Sequence, residues 1–187
     1  MKTSFKFLVV PFLLSSIVLI SACNNKNAEH SEDITPEDKV MQELTTEPVK
    51  EFAKTPNDQH DIQLLNDYDN NYTEISDAME DELSKLSISG NLDKEFAYNR
   101  KKDNLISAME MLKALDLKTE QGRYIQGLIA SYWDEQTQLL EKNKDKLASE
   151  PTLAEDGVKG LGKYLQAQEQ LEFWQSQYPE LVSKNDD

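Results

Sequence analysis

The chain has one cysteine, Cys23, among 187 residues. A lone thiol excludes an internal disulfide and a thiolate metal cluster, since both need at least two. Glycine and proline are scarce, six of each, and their rarity speaks against a fold of many tight turns and in favour of long helices. Basic side chains are outnumbered: 20 Lys and Arg stand against 35 Asp and Glu, a formal net charge of −15. Such a surface repels phosphate backbones, so no nucleic-acid partner is expected, and anionic headgroups are poor partners too.

What is present begins with an export signal. Lys2 and Lys6 give a positive start, Phe7 to Ile20 form an apolar run interrupted by Pro11, Ser15 and Ser16, and Ser21-Ala22 are small residues suited to cleavage. The run is shorter than the roughly 20 residues of a transmembrane helix. An odd thiol in an exported chain calls for a role. The string Ile20-Ser21-Ala22-Cys23 is similar to the lipobox of bacterial lipoproteins, and the resemblance implies that Cys23 is acylated and becomes the first mature residue. Two or more acyl chains, palmitate among them, anchor stably where a single chain holds only marginally. Asn24 stands where an Asp would imply inner-membrane retention, so the resemblance implies the outer membrane, facing the periplasm. Loss of residues 1–22 removes Lys2 and Lys6 and leaves the mature chain still more acidic.

Residues 23–55 read as the lipidated N-terminus and a flexible tether, rich in Asn, Glu, Thr and Pro with too few apolar residues for a core. Fully extended, residues 24–55 span roughly 105–115 Å. From Thr55 helical periodicity takes over. Thr55-Pro56-Asn57-Asp58 predicts an N-cap, a proline at the first helical position and an early acid. Leu65, Tyr68, Tyr72, Ile75, Met79, Leu83 and Leu86 form an apolar stripe ended at Gly90-Asn91, and Leu92, Phe96, Leu105, Met109, Leu112 and Leu115 form a second. Thr119 predicts the cap of a third helix carrying Ile125, Leu128, Tyr132, Leu139 and Leu147. Thr152-Leu153-Ala154-Glu155 matches a capping box ahead of a fourth helix through Leu161, Leu165, Leu171 and Trp174 to Pro179. The expectation is an all-α domain over residues 56–179, an antiparallel four-helix bundle in up-down-up-down order. Residues 180–187 form a disordered tail in this reading, and no segment alternates as a strand does.

Three stretches imitate chemical motifs and break their rules. Asp67-Tyr68-Asp69-Asn70-Asn71 opens like a calcium loop, yet Tyr72 and Ala78 occupy the positions that need Gly and a bidentate Glu. Gly157 to Lys163 fits the phosphate-loop spacing, but Tyr164 replaces the Ser or Thr that binds magnesium and no strand precedes it. The remaining reading there is a weak first turn of helix four, or glycines that let two helices approach closely. Asp77, Glu80, Asp81 and Glu82 spread over an outer helix face, as solvated carboxylates do. His30 and His60 have no catalytic companion in the sequence. The expectation is therefore a non-enzyme with no cofactor and no metal.

The aromatics and one basic run are the leads that remain. Tyr132-Trp133, Tyr164, Phe173-Trp174 and Tyr178 lie on helices three and four, and neighbours along a helix cannot all face one seam. Arg100-Lys101-Lys102 is the strongly basic patch. Arg100, Trp133 and Trp174 are the predicted partner-binding residues, since aromatics and arginine dominate interface energies. Tyr98-Asn99-Arg100 followed by Leu105-Ile106-Ser107-Ala108 resembles helical lipoproteins of Gram-negative envelopes, a likeness that implies no activity. The leading function is a non-enzymatic protein-interaction module with an envelope protein as partner. The alternative is an inhibitor or immunity lipoprotein that neutralises a basic toxin or lysozyme-like hydrolase, with a small-molecule carrier as a third.

Overall fold

The computed structural model of the protein describes residues 35–144 and 157–182. Among them every regular element is a helix and none is a strand. The leader, Cys23, Asn24 and His30, the capping box at Thr152, Leu147 and the last five residues lie outside this description.

Helix α1, Pro36–Glu43, starts at Thr35 with a reciprocal cap: the Thr35 hydroxyl accepts from the Asp38 N–H, and the Asp38 carboxylate accepts from the Thr35 N–H. Helix α2, Asp58–Ile88, is 31 residues long. Its cap is Asn57 rather than Thr55, and Pro56 stands outside the helix. Thr55 instead accepts from the Asn57 N–H and donates to the Asp58 carboxylate. The helix stops at Gly90, where φ is +70°, and the Asn91 N–H reaches back to the Leu86 carbonyl at 2.9 Å. That left-handed residue and its backward hydrogen bond are the glycine stop expected there. Helix α3, Lys94–Lys113, is capped by Asp93, which accepts from the Phe96 N–H. Helix α4, Glu120–Lys142, begins at Thr119 as the sequence predicts, with the Gly122 N–H donating to the Thr119 hydroxyl. Helix α5, Leu161–Ser176, follows Gly160, whose φ is +72°. Helix α5 stops ahead of Pro179 as predicted, but a separate last turn, α6, Pro179–Val182, follows where a disordered tail is predicted, and Leu181 packs against the core.

Helix α4 packs against α3 and α5, while α2 touches α3, α4 and α5. Between them lies one core of Ile62, Leu65 and Tyr68 from α2, Ala108 and Leu112 from α3, Ile125, Leu128, Ile129 and Trp133 from α4, and Ala167 and Trp174 from α5. Full burial of a large apolar side chain contributes about 1.5–3 kcal/mol, so this cluster is the main stabilising term. The predicted stripes hold at Leu65, Tyr68, Met79, Leu83, Leu112, Ile125, Leu128 and Trp174, all buried. They fail at Ile75, Leu92 and Phe96, which are exposed. On α3 the buried face runs instead through Tyr98, Asn104, Ala108 and Leu112, so the inward seam is offset from the most apolar one.

The tether boundary moves. Residues 43–54, read from composition as mobile, lie against α4 and α5. The Lys50 N–H donates to Gln170 Oε1 at 2.9 Å, and Gln170 Nε2 donates back to the Lys50 carbonyl at 2.7 Å. Phe52 packs on Tyr124 with ring centroids 5.6 Å apart. This strap docks mostly through backbone and charge, which explains why an apolar count misses it.

Candidate functional site at the α2–α3 hairpin end

The buried polar groups come first, because buried polarity is where chemistry usually hides. Asp61 is 0% exposed. Its carboxylate accepts from the Lys118 and Thr119 N–H groups and from the Thr119 hydroxyl, the last two at 2.7 Å, and His60 Nδ1 lies 2.9 Å away. Burial opposes its charge, but these hydrogen bonds outweigh burial and hold its pKa below the usual carboxylate value. Asp58 behaves alike: burial opposes the charge, and hydrogen bonds from Thr55 and Tyr178 overcome it. A carboxylate held ionised by backbone donors is a strut, tying α2 to the start of α4.

The aromatic cluster is the second buried feature. Trp133 Nε1 donates to the Tyr68 hydroxyl at 2.7 Å, and its ring meets Tyr72 at 4.6 Å and Tyr132 at 4.5 Å. Tyr164 donates to Asp69, and Asn104 Nδ2 donates to the Tyr72 hydroxyl. Burial pushes the Tyr132 phenol up to about 12 and raises Tyr68, Tyr72 and Tyr164 as well, the last helped by the Asp69 charge. All four stay protonated near neutral pH, so they act as hydrogen-bonding core residues.

This arrangement corrects the predicted contact residues. Trp133 is 5% exposed and Trp174 is 1% exposed, so neither is available as a surface anchor. The reason is that α4 and α5 turn these rings toward α2, where Tyr68 satisfies the Trp133 N–H. Arg100 is partly exposed, but its guanidinium pairs with Glu82 on α2 at 2.8 Å, which balances charge across the hairpin. The Asp67 to Ala78 stretch is continuous α2 helix. Gly160 and Lys159, from the phosphate-loop mimic, bind the chain's own Glu43 carboxylate. No group of His, Cys, Asp and Glu among the described residues is arranged to hold a metal, and no described helix is long and apolar enough to cross a membrane.

The surface that is left lies where α2 ends and α3 begins. An open cavity of about 410 Å³ is lined by Gly90, Leu92, Lys94, Ala97, Tyr98 and Lys101. Gly90 places Leu92 over the start of α3, and the spacing 94, 97, 98, 101 puts four residues on one face of that helix. Leu92 in that lining is exposed, and Ile88, 85% exposed, adjoins the lining residue Ser87 in the chain, whereas the exposed Phe96 lies on the opposite face of α3. Lys144, from the end of α4, holds its ammonium 5.0 Å from the centre of the Tyr98 ring. Between Leu83 and Lys102 the sequence has Lys85, Lys94, Arg100, Lys101 and Lys102 against Asp93 and Glu95 alone. No carboxylate among the described residues pairs with Lys94 or Lys101. In so acidic a protein this end is a local cationic and apolar exception. The signal was legible in part: Arg100-Lys101-Lys102 marked the region, whereas the exposure of Leu92 and Phe96 contradicts their stripe.

The chain matches no family model, no curated protein and no solved structure.

Proposed function

We propose that the protein is an outer-membrane lipoprotein, anchored at Cys23 and facing the periplasm, whose helical domain is a non-enzymatic protein-interaction module. In this reading α2 to α5 form an antiparallel up-down-up-down four-helix bundle, and the α2–α3 hairpin end is the contact surface. The pairwise packing of α2 with α3, α3 with α4 and α4 with α5 supports that order. The observation that carries the function is the hairpin end itself: Leu92 and the neighbouring Ile88 are exposed at a cavity that holds Lys94 and Lys101. Isolated exposed apolar residues are ordinary, but a cluster beside unpaired cations on an acidic protein has the make-up of an interface. Charge complementarity selects the partner: an envelope protein presenting acidic side chains around an apolar centre. A lipid surface is disfavoured because the molecule as a whole, at −15, is repelled by anionic headgroups.

The test is crosslinking in intact envelopes, comparing the parent with Ile88→Ser and with Lys94→Glu/Lys101→Glu, and with Lys113→Glu as a charge control. Both hairpin variants are expected to melt like the parent and to lose a discrete protein adduct that the control retains. Adducts unchanged in the hairpin variants sink the proposal, and so does an adduct of lipid alone. Salt separates the inhibitor alternative. Capture of a basic hydrolase by the acidic faces would weaken steeply with ionic strength and ignore both hairpin variants.

A further inference from the structure

The groove beneath the strap has the features of a binding site that is already filled. Gln170 is 1% exposed, and its amide makes a reciprocal pair of hydrogen bonds with the N–H and carbonyl of Lys50. A side chain that reads one residue's backbone in both directions recognises an extended chain irrespective of its sequence. At Gly162 the approach is closer still, since a Cβ there would lie 2.5 Å from the Glu43 carbonyl oxygen and 2.8 Å from that of Thr45. Upstream, the Gly160 N–H donates to Glu43 Oε2 at 2.9 Å and the Lys159 ammonium stands 3.5 Å from Glu43 Oε1, while Gln136 Nε2 pins the Lys159 carbonyl. Downstream, Tyr124 receives Phe52 on its ring and the Lys50 ammonium 4.3 Å from its centre. The groove thus has a carboxylate seat, a backbone clamp and an aromatic rest in a line.

The occupant, by contrast, is weakly held. No residue from 35 to 57 is buried, and Glu47 to Glu51 are all exposed. Little apolar area is lost when the strap lifts, and the Lys159–Glu43 pair is solvent-accessible, worth at most about 1 kcal/mol. Segments of this kind open locally at far lower free energy than the core does.

We infer that the α4–α5 groove is a peptide-binding surface closed by the chain's own residues 43–52. In trans it takes an extended protein segment with a carboxylate, a free backbone amide and carbonyl seven residues later, and an aromatic ring two residues beyond that. This surface shares no residue with the hairpin-end cavity and does not rest on that reading. The strap competes with the partner, so apparent affinity is reduced by the fraction of time the groove is open.

The experiment uses the full chain and a fluorescent peptide with the sequence of residues 41–54. It compares the parent with Glu43→Ala/Phe52→Ala, which weakens the strap and leaves the groove intact. The peptide should bind the variant on the order of 10-fold more tightly than the parent, and a peptide lacking its Phe should lose that gain. Equal affinity for both proteins, no binding to either, or indifference to the Phe overturns the inference. Hydrogen exchange on the parent keeps the test decisive if the variant misfolds. The Lys50 amide should exchange much faster than the α4 core and faster again with excess peptide, and an exchange rate that ignores the peptide counts against the groove.

Discussion

At the scale of single residues, the buried Asp61 ties α2 to the start of α4 through hydrogen bonds rather than apolar packing. One carboxylate orients the connection before α4, because Thr119 donates its hydroxyl to Asp61 while accepting from the Gly122 N–H. Gly122 is itself required there, since a Cβ would fall 2.7 Å from Asp61 Oδ2. Asp61→Asn replaces an acceptor of four donors by an amide that cannot accept them all, and removal of one member of a buried charged network costs about 3–5 kcal/mol. Chemical unfolding of the variant should register a loss in that range. The pH dependence follows from the sign of the shift: the folded pKa lies below the unfolded one, so the carboxylate's contribution is complete above the unfolded value. It is lost as pH falls from about 5 through the folded value. The parent should therefore lose stability on acidification, and Asp61→Asn should show a shallower acid limb. Equal limbs would mean that Asp58 and other carboxylates carry the effect.

At the scale of elements, the strap and α5 illustrate a helix face chosen for something other than apolar packing. Gly162, Gln166, Ala167, Gln170 and Trp174 are the buried residues of α5, and two of the five are glutamines. Gln166 donates to the Tyr124 hydroxyl and Gln170 clamps Lys50. Gly162→Ala places a methyl against strap backbone that has no room for it, and the cheapest relief is for the weakly held strap to lift. Amides of residues 43–52 should then lose hydrogen-exchange protection while thermal unfolding of the helices stays within about 1 kcal/mol of the parent, because no buried side chain of the strap is lost. A cooperative collapse of the whole domain would show that the strap is integral to the fold.

At the scale of the whole molecule, the proposed anchor and the docked strap together set how far the domain works from the lipid. With the strap docked from Glu43 onward, the 20 residues from Cys23 limit the reach to at most roughly 66–72 Å, whereas release as far as Asn57 extends the limit to roughly 112–122 Å. Occupation of the groove by a partner would therefore also lengthen the leash. This depends on Cys23 being acylated. Cys23→Ser should block lipid attachment and leave the leader uncleaved, which membrane fractionation and intact mass reveal. A processed Ser variant still in the outer membrane refutes the lipoprotein reading.

The sequence by itself determined the helical character, the Thr119 cap, the glycine stop at Gly90 and much of the apolar seam, because caps and 3.6-residue periodicity are local and depend on side-chain type. For Gly157 to Lys163 it left open a weak first turn or a close helix–helix approach, and the approach at Gly162 is instead to the backbone of Glu43 and Thr45. Only the tertiary structure decided that Trp133 and Trp174 face inward, that Ile88, Leu92 and Phe96 face outward, and that residues 43–54 dock. Which of several adjacent aromatics is buried depends on how the helices rotate against one another, and an apolar pattern broad enough to allow two seams cannot choose. The strap is held largely by backbone N–H and carbonyl groups, which every residue other than proline carries alike. Such contacts leave no trace in composition and exist only once Gln170, Gly160 and Gly162 have been brought alongside.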